Sequence, residues 1–295
     1  MKNLQFYLLL AFTIIYTATL PAVFKITLRE VSVEQITFFN YFIGFVLYLL
    51  WFISRKQLHL VKESFSKIHY FIFIAFFGLF LNRFLYLHAF NFIQATEANI
   101  LYYTYPLGIA LLGFLVLKEK LKKTDLIGLL LGFIGAFVVI TKLDFSLFSL
   151  NLVGDTLAIA GGLAYASYLI FSKKFKFNLM VIVIYSDFFA SLFAAIYIAL
   201  FSSFSIPSSL GIAGLLYIGL ADAILIYLFI LLLREANTFR IASSFYAIPF
   251  VATLLNYLIL NEIIYPSYIL GLILLVAGIL IQNKGKWKKV EVTEE

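Results

Sequence analysis

The chain has no cysteine among its 295 residues. Disulfides, iron–sulfur clusters and thiol catalysis are therefore excluded, and nothing about redox compartment follows. Charge is scarce as well: 13% of residues are Asp, Glu, Lys or Arg, against roughly a quarter in soluble domains. No stretch is polar enough to fold as a soluble domain. Also missing are H-E-x-x-H, G-x-x-x-x-G-K-[ST] and a nucleophile elbow, so an intramembrane enzyme or an ATP-driven pump finds no support. No catalytic activity, cofactor or bound metal is expected. What is present is apolar: 63% of residues are hydrophobic and mean hydropathy is +1.03, which marks a membrane protein. The formal charge of +7 is not a nucleic-acid footprint, because its lysines lie in short connections between apolar runs.

A bilayer core takes about 20 apolar residues to cross. Ten spans are predicted, roughly 4–24, 34–54, 68–90, 96–117, 124–141, 152–172, 179–201, 209–233, 239–260 and 265–282. The first is too long for the apolar region of a signal peptide and lacks an A-x-A-like exit, so it is read as a retained span. With the N-terminus in the cytoplasm, the inner segments carry eighteen Lys and Arg and the outer ones three, Lys25, Arg29 and Lys142. This bias predicts a multi-pass plasma-membrane protein with both termini cytoplasmic.

The sequence is organised around Gln94 to Ile140, an apolar run with Pro106 in its middle, a charged turn holding Glu119, and a second run with spaced glycines. A shift of 143 repeats the plan. Tyr103 falls on Tyr246, Pro106 on Pro249, Glu119 on Glu262, Gly128 on Gly271 and Gly135 on Gly278. Two repeats are predicted, 1–143 and 144–284, with a basic and acidic cytoplasmic tail at 285–295. Five spans per repeat is an odd number, so the second repeat enters the membrane upside down. The expected fold is an all-α polytopic membrane protein of ten transmembrane helices in two inverted five-helix repeats, a plan recurrent in secondary transporters.

The doubled pattern of mid-span proline, glutamate past the span end and glycine-spaced span resembles the drug/metabolite transporter superfamily, specifically its EamA-type members. The resemblance covers the whole chain. It implies carriage of a small metabolite, often an amino acid, through a central cavity lined by spans 1–4 and 6–9, with spans 5 and 10 peripheral. Pro21 in span 1 has Ala164 as its counterpart, so the symmetry is incomplete there.

Each candidate residue has a functional and a structural alternative. Pro106 and Pro249 are expected to kink spans 4 and 9 and to free the carbonyls of Tyr102 and Phe245, either toward a cavity or only for packing. Arg83, on the outer half of span 3, and Asp222, almost at the centre of the repeat-equivalent span 8, lie where charge is costly. They could take the carboxylate and ammonium of a zwitterion, or Asp222 could carry a coupling proton. Alternatively they pair with each other, or Arg83 reaches out to headgroups. Tyr103 and Tyr246 are too deep for an interfacial belt and are expected to line the cavity, with Tyr102 beside them; Tyr105 is placed on another face. Asn82 and Asn40 are cavity or helix–helix contacts. His88 points about 140° from Arg83 at 100° per residue; it and Asp187 are coupling or gate candidates. Glu119 and Glu262 are expected to hold their own turns. Gly128 and Gly132 could support a homodimer or pack within a monomer.

These readings converge on a secondary transporter of a small molecule, foremost an amino acid, working by alternating access in the lipid bilayer with a proton as candidate coupling ion. The alternatives are an exporter of amphipathic cations or drugs and a flippase of a lipid-linked intermediate, the latter through Lys118, Lys120, Lys122 and Lys123.

Overall fold

A computed structural model describes residues 3–118, 123–143, 151–175, 177–235 and 247–283. Among these the secondary structure is all helical, joined by short connections, as the apolar runs require: without water, backbone groups in lipid must bond within their own segment. The helices are α1 (Asn3–Thr27), α2 (Val33–Ser54), α3 (Leu58–Glu63), α4 (Ile68–Ile74), α5 (Leu81–Ala89), α6 (Ala95–Tyr102), α7 (Tyr105–Leu117), α8 (Lys123–Thr141), α9 (Leu152–Phe175), α10 (Leu179–Phe201), α11 (Ser209–Glu235), α12 (Ala247–Leu260) and α13 (Pro266–Asn283). Six stretches are long and apolar enough to cross a bilayer: Leu4–Thr27, Val33–Ser54, Phe65–Ala89, Ala95–Leu117, Leu152–Phe175 and Met180–Phe201. Leu126–Val139, Ser209–Leu225, Ala247–Leu260 and Pro266–Gly278 are shorter apolar helices. Large side chains such as Phe133, Leu115 and Phe201 stand exposed on the outside, as a lipid-facing surface demands.

Two predicted spans are interrupted. Span 3 is α4, a π-helical turn at Ala75–Phe80, then α5. The wide turn brings Gly78 against α9, where a Cβ would lie 2.5 Å from Tyr168 Cβ. Span 4 does not merely kink. α6 ends at Tyr102, Tyr103 and Thr104 form a turn, and α7 starts with Pro106 in its first turn, where a missing N–H costs nothing. Pro249 likewise stands in the first turn of α12. For span 4 the expectation of a kink within a continuous helix is corrected: α6 has ended before Pro106, which stands in the first turn of a new helix; for span 9 the residues that precede α12 lie outside those described.

α8 and α13 pack along their length, and glycine sets the approach. A Cβ at Gly135 would lie 2.7 Å from the Gly271 carbonyl oxygen, and one at Gly278 would lie 2.6 Å from that of Gly128. Gly135 maps to Gly278 by adding 143 and Gly271 to Gly128 by subtracting it, so the repeat offset turns one pair into the other with partners exchanged. Gly128 beside Gly278 and Gly135 beside Gly271 means that the two helices run antiparallel. A Cβ on Gly132 would meet Leu107 of α7, so these glycines pack within one chain. The backbone repeats as well: Lys118, with φ 56°, and Asn261, with φ 55°, both take the left-handed conformation just before the motif glutamates.

Candidate functional site

Arg83 follows the π-helical turn and Asp222 lies midway along α11. Their side chains meet, Arg83 Nη2 to Asp222 Oδ1 at 3.1 Å, with 12% and 18% of their surfaces exposed. The guanidinium lies 4.9 Å from the ring centre of Phe24 on α1 and 5.9 Å from that of Tyr41 on α2, cation–π contacts that help hold a charge away from water. Arg83 Nε has no hydrogen-bond partner. Tyr41 itself donates to the Leu79 carbonyl at 3.0 Å, fixing the wide turn that presents Arg83. Of the expected arrangements, the structure shows the direct Arg–Asp pair, and Arg83 does not reach outward.

Asn82 donates to the Gly161 carbonyl on α9 at 2.8 Å and to the Tyr102 hydroxyl at 3.2 Å. Around it is a tyrosine cluster. Tyr102 lies 4.4 Å from Tyr86, 6.0 Å from Tyr103, 5.9 Å from Tyr105 and 6.2 Å from Tyr165 between ring centres. Tyr105 belongs to it, 5.2 Å from Tyr165, which corrects its assignment to another face. The 100° step per residue does not hold across the turn at Tyr103 and Thr104, so Tyr105 is swung back. The Tyr102 carbonyl, which Pro106 leaves without its helical donor, faces Gly162, where a Cβ would lie 2.6 Å away.

Asp187 is buried on α10 beside α2: a Cβ on Gly44 would lie 2.6 Å from its Oδ2. His88 is not brought to the Arg83–Asp222 pair. Its Nδ1 lies 2.9 Å from the Phe84 carbonyl oxygen, and its Nε2 lies 3.9 Å from Glu34. Glu262 does more than hold its own turn. Its two oxygens accept from the Ala95 and Thr96 amides at 2.7 and 2.9 Å, capping α6 from the other half of the chain with a carboxylate where the helix dipole favours one. Glu119 and Tyr246 lie outside the described residues.

A second polar cluster surrounds that cap. Glu97 pairs with Lys142 at 3.1 Å and accepts from the Tyr268 hydroxyl at 2.8 Å. Tyr268 also bonds Gln94 at 3.2 Å, and Lys25 donates to the Phe90 and Ile93 carbonyls. A cavity of about 270 Å³ opens among Lys25, Gln94, Glu97, Lys142 and Glu262, and Asp155 is buried at the start of α9. Glu97 and Asp155 are each an acid at the edge of an apolar run, a signal in the sequence that could have marked this cluster, whereas Lys25 and Lys142 carry only an orientation signal there.

Comparison with known proteins fits this architecture. A chain from Archaeoglobus fulgidus described as an uncharacterized transporter is 27% identical over 291 residues, covering 94% of this chain and 96% of the relative. The uncharacterized transporter YoaV of Bacillus subtilis is 25% identical over 286 residues, covering 93% and 95%. One crystal structure superposes with a TM-score of 0.68 at 20% identity, over 96% of this chain and 99% of its own, a likeness of fold. The EamA-like transporter family matches twice, at residues 5–141 and 152–283, and the chain belongs to that family.

Proposed function

We propose that the chain moves a zwitterionic small metabolite, an amino acid or close relative, across the plasma membrane by alternating access. The observation that carries this reading is the Arg83–Asp222 pair. It joins two predicted repeats through two opposite charges 3.1 Å apart, beside a cluster of tyrosines. A substrate with a carboxylate and an ammonium offers each charge a replacement partner, and Arg83 Nε is a donor still to be used. Tyr102 and Tyr103 supply aromatic faces and Asn82 holds Tyr102 in place. The apolar side-chain surface around them suits an apolar or aromatic substrate.

Alternating access follows from two inverted five-helix repeats of ten spans, bounded at 1–143 and 144–284, with both termini cytoplasmic. Support for the inversion is the antiparallel α8–α13 pair, whose glycine contacts exchange under the repeat offset. Lysine bias makes the Glu262 face the outer one. There the Glu262 cap, the Glu97–Lys142 pair and the Tyr268 bonds tie the halves together, which supports reading this arrangement as one closed to the outside.

The test is counterflow of a labelled amino-acid mixture into proteoliposomes, comparing the native protein with Arg83→Gln and Asp222→Asn. Uptake that both variants lose supports the zwitterion site. Uptake that both retain removes the pair from substrate binding. Failure of the native protein to exchange any amino acid, while it exchanges an amphipathic cation, rejects the substrate class and leaves Asp222 alone as the binding charge.

A further inference from the structure

Beside the ion pair stands another carboxylate that it does not use. Asp187 is 1% exposed, and neither of its oxygens has a hydrogen-bond partner. The titratable and charged groups close enough to act on it electrostatically are Tyr41 and Tyr48 from α2, Tyr168 from α9, Arg83 from α5 and Asp222 from α11. Three of these are engaged elsewhere. Tyr41 donates to the Leu79 carbonyl and Tyr48 to that of Ala223 at 2.9 Å, while Arg83 is held by Asp222. Gly44 withholds a side chain where a Cβ would stand 2.6 Å from Oδ2. Asn40, one helical turn before Gly44 and beside Asp222, is 1% exposed and keeps its amide oxygen free. A bare carboxylate so far from water is strongly disfavoured and calls for a cation.

We propose that Asp187, with Gly44 making the space and Asn40 on the adjoining turn, is a binding site for a monovalent cation, either a proton or a sodium ion. Hard oxygen donors suit both. Binding makes, and release breaks, only the ion's own bond to the carboxylate. Calling this occupant the coupling ion rests on the transport reading above; the site itself does not. Its electrostatic interaction with Asp222 gives a physical route for coupling, since neutralising Asp187 changes what Asp222 experiences and so alters substrate affinity, and by linkage the substrate alters cation affinity equally.

The experiment needs no substrate. Infrared difference spectra of the purified protein are recorded during an acid-to-alkaline titration, once in choline and once in sodium buffer, for the native chain, Asp187→Asn, and Asp222→Asn to account for the neighbouring acid. The expected result is a protonated-carboxyl band that persists in Asp222→Asn, is abolished in Asp187→Asn and disappears on alkaline titration. If sodium leaves that titration unmoved, the occupant is a proton; if sodium removes the band at fixed pH, sodium competes for the site. Should Asp187→Asn fail to fold, Asp187→Glu keeps the group on a longer arm and is expected to shift the band. Native spectra that Asp187 substitution leaves unchanged in both buffers overturn the proposal, whatever the counterflow experiment returns.

Discussion

At Arg83 the ion pair that bears on stability is also the one proposed to take substrate. Removing its charge leaves Asp222 facing an apolar interior with no cation beside it. For a fully buried pair that loss runs to several kcal/mol, and the 12% and 18% exposure here reduces it to about 2–3 kcal/mol. Arg83→Gln is expected to lower the unfolding midpoint, followed through tryptophan fluorescence. Adding Asp222→Asn should recover most of that loss, because the orphaned charge goes with it. Counterflow should stay lost in the double variant if the charges serve substrate. A double variant as unstable as the single one would show that Asp222 finds its cation elsewhere. Both residues were legible in the sequence because a charge inside an apolar run is a cost that needs a reason. Glu97 and Lys142 were not: each sits where a span ends, and only tertiary packing reveals that α6 and α8 bring them to 3.1 Å. Tyr105 was misplaced for a different reason, since helical periodicity carries no information across a turn.

At the scale of elements, the structure is governed by interruptions and close approaches. The break between α6 and α7 leaves the Tyr102 carbonyl against Gly162, and a backbone oxygen cannot move aside as a flexible side chain could. Gly162→Ala is therefore expected to destabilise by about 1–3 kcal/mol, more than the gain in helix propensity of about 1 kcal/mol returns. A midpoint equal to or above the native value would show that the break adjusts freely. The α8–α13 contact makes a paired prediction. Gly135→Ala and Gly278→Ala each drive a methyl group toward a carbonyl, at 2.7 and 2.6 Å, so the two variants should lose stability equally, within about 0.5 kcal/mol. A large inequality would mean that the two halves are not packed equivalently. The glycine spacing was plain in the sequence, but its partner was not, since a glycine pattern reads the same whether it meets a second copy or its own chain. Glu262 carries the same lesson: its place in the motif was visible, whereas its target, the amides of Ala95 and Thr96, belongs to the other half of the chain.

For the molecule as a whole, the question is whether the Glu262 cap closes one face. Two charge-assisted bonds and a favourable helix dipole are together worth about 1–2 kcal/mol, on the magnitudes of helix caps. If the chain works by the alternating access proposed above, its states differ by a few kcal/mol, and losing this cap is expected to shift their balance by roughly ten-fold. The absence of native cysteine makes the shift measurable, because any single cysteine introduced is the only target for a thiol reagent. Asn99→Cys on α6, a position 3% exposed in this state, should react slowly with a membrane-impermeant maleimide added from outside. The same position in a Glu262→Ala background should react several-fold faster as the face opens. Asn151→Cys, on the same face, should label from outside in both backgrounds, and Gln57→Cys, past the opposite end of α2, in neither. If Gln57→Cys reacts from outside and Asn151→Cys does not, the orientation taken from lysine bias is inverted. If the labelling pattern holds but Glu262→Ala leaves the Asn99→Cys rate unchanged, the cap stabilises α6 without governing access, and closure of that face must rest on the Glu97–Lys142–Tyr268 contacts instead.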